Sequence, residues 1–361
     1  MNPLTLNTTC NELSNSIFIN GRFLTQEMTG IQRFSFELCK ALINHGADIV
    51  ILAPKKIRTE YKLNCRIIRF GFFSDILWEQ IDLPVFLMKN KNPLLLNLGS
   101  PGPVFYPNRI VTVHDLSFYV YPSWFKKSYW LYYRLATPVF TRLTKKVITV
   151  SEFSKNEIIR LIGIPGNKIT VIHNAVSEAI QRQPSHVTMN KGKYILSVAS
   201  LDPRKNLIRL VEAYKLAGIE KDIRLVLAGR TDPIFNINLP EEVLAHSVGY
   251  VPDDELSSLY QKATLFVYLS LYEGFGIPPL EAMSLGCPVI LSDIPVFREI
   301  FGDAAHYVDS LDPSSICKEI LQVLSDEPYR TDLIRRGYER VKLYGWEESA
   351  DKLVSILRSI V

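Results

Sequence analysis

Short apolar runs alternate with longer stretches of helical spacing along nearly the whole chain. The runs are rich in β-branched and aromatic residues and read as strands: SIFIN (16–20), then 48–53, 65–70, 94–98, 110–114, KVITVS (146–151) and ITVIHN (169–174). Between the first two, IQRFSFELCKALINHG carries its apolar residues at helical spacing. Strands alternating with helices predict parallel sheets covered on both faces. The polar, unpatterned stretch EAIQRQPSHVTMNKG (178–192) interrupts this rhythm. The alternation then restarts with KYILSVAS (193–200), LIRLVEAYKLAG, IRLVLAG (223–229) and LFVYLS (265–270). The pattern predicts an α/β chain of two Rossmann-like domains, 1–178 and 193–345, with a linker at 179–192 and a terminal helix at 346–361. Residues 1–15 are polar and read as a frayed lead-in.

In such sheets ligands gather at the carboxyl ends of the strands. Three stretches place chemistry there. EGFGIPPLE follows the strand 265–270, with seven residues between its carboxylates Glu273 and Glu281. Gly274 and Gly276 allow close backbone approach, and Ile277 opens a helix whose first turn tolerates Pro278 and Pro279. A glycine loop at a helix N-terminus suits anionic groups. The bland reading is a strand–helix turn with Glu281 solvated. LDPRKN puts Arg204 and Lys205 on the same side, where two fixed bases neutralise a diphosphate, unless they are simply exposed turn bases. IVTVHD puts His114 and Asp115 at a strand end of the first domain; a capping or packing histidine is the alternative. Gly30 opens a helix after the first strand, either as a plain helix start or as a backbone approach to phosphate or sugar.

Composition adds limits. The 361 residues are 47% hydrophobic and 22% charged, with a net charge of +4, which argues against general nucleic-acid binding. Five scattered cysteines form no metal-ligand spacing and fit reduced thiols in a cytoplasm. No apolar run approaches the ~18 residues that span a bilayer, and the first twenty residues do not read as a signal peptide. No G-x-G-x-x-G follows a strand, which disfavours a dinucleotide oxidoreductase. One region stands out. From Phe118 to Lys146 aromatics interleave with bases, and between Arg109 and Lys146 seven bases face one acid, a local +6. Such a helix suits an anionic membrane surface or a lipid acceptor; the alternative is a helix with aromatics in the core and solvated bases.

EGFGIPPLE resembles the E-x7-E motif of the family-four retaining glycosyltransferases, and the similarity extends through YEGFGIPPLEAMSLGCPVILSDIPVFREIFGDAAHYVD (272–309). TGIQRF, SEFSK and VGYVPDDELSSLYQKA also resemble family segments, and WEESADKLVSILRSIV resembles the terminal helix that crosses back to the first domain. LDPRKN suggests similarity to bacterial mannosyl- and rhamnosyl-type transferases of surface polysaccharide. The resemblance implies a GT-B fold, two Rossmann-like domains with parallel sheets facing across a cleft. It implies a nucleotide diphosphate sugar donor of GDP-mannose or dTDP-rhamnose type and a glycan acceptor, growing on a lipid carrier. By the same resemblance Glu281 holds the ribose, while Glu273 with the backbone of Gly274, Phe275, Gly276 and Ile277 holds the sugar. Arg204 and Lys205 take the diphosphate, Gly30 lies at the donor, the backbone at Val251 meets the base, and His114 faces the donor sugar and acceptor. Arg and Lys stand where a metal would, with no D-x-D-like site, so no cofactor is expected. An arginine common at 199–200 in relatives is replaced by Ala199 and Ser200, and Arg204 takes over its role. The expected location is cytoplasmic, peripheral on the inner membrane face. A GT-B sugar-nucleotide epimerase and a non-catalytic sugar-nucleotide or partner-binding module are the alternatives.

Overall fold

A computed structural model describes residues 16–58, 61–181, 193–230, 234–235 and 239–360. The lead-in at 1–15 and most of the expected linker, 182–192, lie outside them; residues Glu178–Gln181 form a short helix.

Two parallel sheets form the framework. The first contains β1 (Ile17–Asn20), β2 (Ile49–Pro54), β3 (Arg66–Phe70), β4 (Leu95–Asn97), β5 (Arg109–Thr112), β6 (Lys146–Thr149) and β7 (Ile169–Val171), in the order β3-β2-β1-β4-β5-β6-β7. The second contains β8 (Tyr194–Val198), β9 (Arg224–Ala228), β10 (Ser247–Gly249), β11 (Leu265–Tyr268), β12 (Val289–Ser292) and β13 (His306–Val308), in the order β10-β9-β8-β11-β12-β13. Both are doubly wound, with the direction of winding reversing beside β1 and β8. β1, β4, β11 and β12 are buried throughout or nearly so, as strands covered by helices on both faces must be.

The register sets up the site. β8 and β11 are neighbours, with Leu265 opposite Ile195 and Phe266 opposite Leu196. Their exit loops therefore lie side by side, one carrying Arg204 and Lys205 and the other Glu273. The helix Ile277–Ser284 starts with Pro278 and Pro279 in its first turn, and its N-cap Gly276 has φ +106°, a conformation that favours glycine.

The terminal helix Trp346–Ile360 packs on the helix Gly30–Asn44 of the first sheet. Trp346 Nε1 donates to the Val176 carbonyl (3.1 Å), and Ser349 Oγ to that of His173 (2.9 Å). Among the described residues Cys39, Cys65, Cys287 and Cys317 are in no disulfide.

The aromatic–basic stretch becomes the helix Lys127–Leu143 after two short turns. Its aromatics turn inward: Phe125, Tyr129, Tyr133 and Phe140 pack in one cluster with Ile234 and Phe235 of the second domain. The outward face is aliphatic and basic, with Leu131, Leu135, Val139 and Leu143 exposed beside Lys127, Arg134 and Arg142. The reason is cover. The Lys126 N–H donates to the Ile234 carbonyl (3.0 Å), which brings a second-domain segment over the aromatic side.

Candidate active site

The loop after β11 is held from the first domain. Ser151 caps the helix Glu152–Ile162 by accepting from Ser154 N (3.0 Å), and its hydroxyl donates to the Gly274 carbonyl (2.7 Å). Glu299 of the second domain accepts from the N–H groups of Glu152 (2.8 Å) and Phe153 (2.7 Å) at the same helix end. A Cβ at Gly274 would stand 2.1 Å from the His114 carbonyl oxygen, so only glycine lets the β5 exit lie this close.

Glu273, Lys205 and Arg204 then form one charged knot. The Lys205 ammonium pairs with Glu273 and donates to the Tyr268 hydroxyl (2.6 Å), which donates to Glu273 (3.1 Å). Arg204 Nη1 lies 3.7 Å from Glu273 and donates to Asp115 Oδ2 (3.2 Å). The other Asp115 oxygen accepts from the N–H and hydroxyl of Ser117, which fixes the carboxylate. Arg204 Nε is buried and makes no hydrogen bond, but lies 3.7 Å from the buried Asp202 Oδ1. Burial pushes the Glu273 carboxyl up, but Arg204 and Lys205 override it and hold it down at about 2. Burial and the nearby Arg204 charge lower Lys205, against the pull of Glu273.

Glu281 sits one helical turn in and is buried too, which overturns the solvated reading. Its Oε2 accepts from the Tyr260 hydroxyl (3.0 Å), and Arg33 Nε lies 3.9 Å from Oε1. Arg33 spends its fork on Asp253, at 2.7 and 3.0 Å, and on the Ser177 hydroxyl at 2.8 Å. Burial therefore dominates at Glu281 and raises its carboxyl to about 7, with Arg33 countering only in part.

His114 Nε2 lies 2.9 Å from the Leu98 carbonyl, a contact that requires the proton on that nitrogen and leaves Nδ1 as an acceptor. Burial lowers its pKa, so the ring is neutral, and Phe34 meets it edge-on at 5.0 Å. It is a hydrogen-bond acceptor for a hydroxyl.

The Glu273–Lys205–Arg204 knot with Tyr268 and Asp115, together with His114, Arg33, Asp253 and Glu281, lines one cavity of about 470 Å³ between the sheets. Gly30, His114, Arg204, Lys205, Val251, Glu273, Gly274, Phe275, Gly276, Ile277 and Glu281, the residues singled out in the sequence, all face it. Because Pro278 and Pro279 lack N–H groups, the donors at this helix start are Ile277 and the glycine loop before it. Among the described residues no three His, Cys, Asp or Glu side chains gather as metal ligands.

Sequence reasoning missed Tyr268, Arg33, Asp253 and Tyr260. Tyr268 was legible as the strand-end residue five before Glu273. Arg33 lay within TGIQRF, but nothing local links it to carboxylates more than two hundred residues away.

Known proteins are similar over most of the chain. Residues 28–179 match the Glycosyltransferase Family 4 model and 179–340 the Glycosyl transferases group 1 model. The chain is 31% identical to O-antigen chain mannosyltransferase B of Escherichia coli, over 91% of this chain and 95% of that protein. It is 35% identical to O-antigen chain mannosyltransferase RfbU of Salmonella typhimurium, over 83% and 88%. The fold is similar to HepE from Anabaena, solved in complex with UDP-glucose, with a TM-score of 0.71 at 13% identity over 95% of this chain and 99% of that one.

Proposed function

The chain belongs to the family-four glycosyltransferases and is a hexosyltransferase of GT-B fold; from that premise we propose that it moves a hexose or deoxyhexose, with retention, from a nucleotide diphosphate sugar to a bacterial surface glycan. The observation that carries the donor reading is the Glu273–Lys205–Arg204 knot beside the buried Glu281, at neighbouring strand ends in the cleft. One end offers the fixed positive charge of Arg204 and Lys205 for a diphosphate. The other offers a carboxylate suited to a ribose diol. The O-antigen mannosyltransferases among the relatives favour mannose as the sugar; GDP-mannose is therefore the donor proposed first, and a dTDP-rhamnose type second.

Bond breaking leaves negative charge on the diphosphate. Arg204 and Lys205 are positioned to stabilise that charge without reorganising, and no metal is required of them. Glu273 is ionised but locked by two cations. It therefore acts as a hydrogen-bond acceptor for the sugar hydroxyls, not as a nucleophile. The acceptor hydroxyl approaches on the leaving-group face beside neutral His114, and its proton passes to the departing diphosphate oxygen.

The acceptor is a glycan on a lipid carrier, and the enzyme works at the inner membrane face. The exposed Leu131–Leu135–Leu143 stripe flanked by bases supports this, as do Phe72 and Phe105, 94% and 85% exposed on the same domain. No helix among the described residues is long and apolar enough to cross a membrane. Flotation with anionic vesicles tests this part; no binding, with soluble acceptors used equally well, sinks it.

The test of the whole is a screen of GDP-, UDP- and dTDP-sugars for binding and slow hydrolysis, repeated with Glu273→Ala, with NMR of the product anomer. One donor bound and hydrolysed by the native protein and not by the variant, with retained configuration, is expected. No donor bound overturns the reading.

A further inference from the structure

The charged knot holds one carboxylate more than its task requires. Among the described residues, Glu273, Asp202 and Asp115 stand around Arg204 and Lys205, so three carboxylates face two cations. A site that takes a diphosphate gains from positive charge, and this one is formally negative before the ligand arrives.

The three acids are not equivalent. Asp202 is sealed and serves its own loop, accepting from Arg204 N (3.0 Å). Glu273 is engaged by Lys205 and the Tyr268 hydroxyl. Asp115 alone comes from the first domain. Its side chain is the most open of the three, 22% exposed, and it lines the cavity. Ser117 anchors one of its oxygens through the N–H (2.9 Å) and the hydroxyl (2.7 Å), which presents the other to Arg204 Nη1 at 3.2 Å. Asp115 has two opposed effects on a bound diphosphate. It helps to aim Arg204, and it shares the cation that the phosphates need while repelling them. Arg204 is only 15% exposed and also has Asp202 and Glu273 beside it, each at 3.7 Å, so the aiming is largely redundant. A whole negative charge on the same guanidinium is not, so the repulsion prevails.

We propose that Asp115 is a built-in competitor of the diphosphate for Arg204, which weakens the hold on the nucleoside diphosphate product and speeds its release. The proposal rests on the donor reading and adds what empties the site. Bond breaking concentrates negative charge on the diphosphate and strengthens its attachment to Arg204 and Lys205. A carboxylate fixed on the opposite domain offsets that attachment and keeps Arg204 paired once the product has left. Asp115 acts through Arg204 and is a positioning residue.

The test uses the full chain with GDP or UDP, whichever binds, and with the parent nucleoside. Calorimetry and saturation-transfer NMR measure affinity, and stopped-flow displacement measures the dissociation rate of the nucleoside diphosphate. The variants are Asp115→Asn, which keeps the shape and an oxygen for the Ser117 donors, and Asp115→Ala, which removes the carboxylate independently of that geometry. Both should bind the nucleoside diphosphate about tenfold more tightly, mainly through slower dissociation, while nucleoside affinity stays as in the native chain. A merely structural role at the domain boundary would move both ligands alike. Weaker or unchanged binding of the nucleoside diphosphate, or a nucleoside tightened by the same factor, overturns the proposal. Failure of the donor reading appears separately, as absence of nucleoside diphosphate binding by the native chain.

Discussion

Glu273 and Glu281 share one loop and one helix start, both are buried, and they are held in opposite ways. Glu273 touches Lys205 and stands near Arg204, and its carboxyl falls to about 2. Glu281 has one cation at 3.9 Å, already committed to Asp253, and its carboxyl rises to about 7. Burial is the largest influence on both. What separates them is whether a cation is free to answer it. The neighbours follow their ligands. A diphosphate and a reacting sugar demand fixed charge, whereas a ribose diol needs only an acceptor that is ionised when the donor arrives.

The largest effect should come from removing Glu273. Glu273→Ala leaves Lys205 and Arg204 buried without their shared counter-ion, a change that costs about 3–5 kcal/mol. Denaturant unfolding should show that loss, and donor hydrolysis should disappear. Stability equal to the native chain would mean that the knot is solvated.

Second is pH. Glu273 lies below its ordinary value of 4.5, so its share of stability is present above 4.5 and is lost as pH falls toward 2. Glu281 lies above 4.5, so its share is full below 4.5 and is lost as pH rises through 7. Between pH 4.5 and 7 only Glu281 of the two titrates. Arg33 from the helix Gly30–Asn44 and Tyr260 and Asp253 from the helix Asp253–Lys262 face it and set that midpoint. If ribose binding needs the ionised form, donor affinity should fall about fiftyfold from pH 7 to pH 5, the change in ionised fraction for a midpoint near 7. A flat profile in calorimetry would contradict the assignment.

A smaller effect belongs to Glu281→Gln, which mimics the neutral carboxyl. Stability at pH 7 should change by less than about 1 kcal/mol, while donor affinity at pH 8 drops about tenfold or more, the value of hydrogen bonds to a charged group. The pH dependence should vanish with it. Smallest is Arg33→Ala. It removes the Asp253 pair, part-exposed, for about 1 kcal/mol. It should also shift the Glu281 midpoint upward, read from the same affinity profile.

The same contrast explains what the sequence carried. LFVYLS and EGFGIPPLE state strand, glycine loop and helix in local terms, and Leu265–Tyr268 and Ile277–Ser284 form there. Lys205 and Glu273 were legible because each lies in a motif at a strand end. Arg33 and Asp253, 220 positions apart, meet only when the Arg33 side chain reaches from the first-domain helix to the second domain, and no periodicity encodes that. The helix Lys127–Leu143 shows the same limit. Its aromatic side faces inward because Ile234 and Phe235 of another domain cover it, and spacing alone does not reveal the cover.

The most direct measurement is calorimetry of the preferred nucleotide diphosphate sugar and of its nucleoside diphosphate on the native chain, Glu281→Gln and Glu273→Gln. The expected result is that Glu281→Gln weakens both ligands by the same factor. Glu273→Gln should weaken only the sugar nucleotide, with the bare diphosphate bound at least as well beside Arg204 and Lys205. Equal losses for both ligands in both variants would contradict the division of the site into a ribose end and a sugar end.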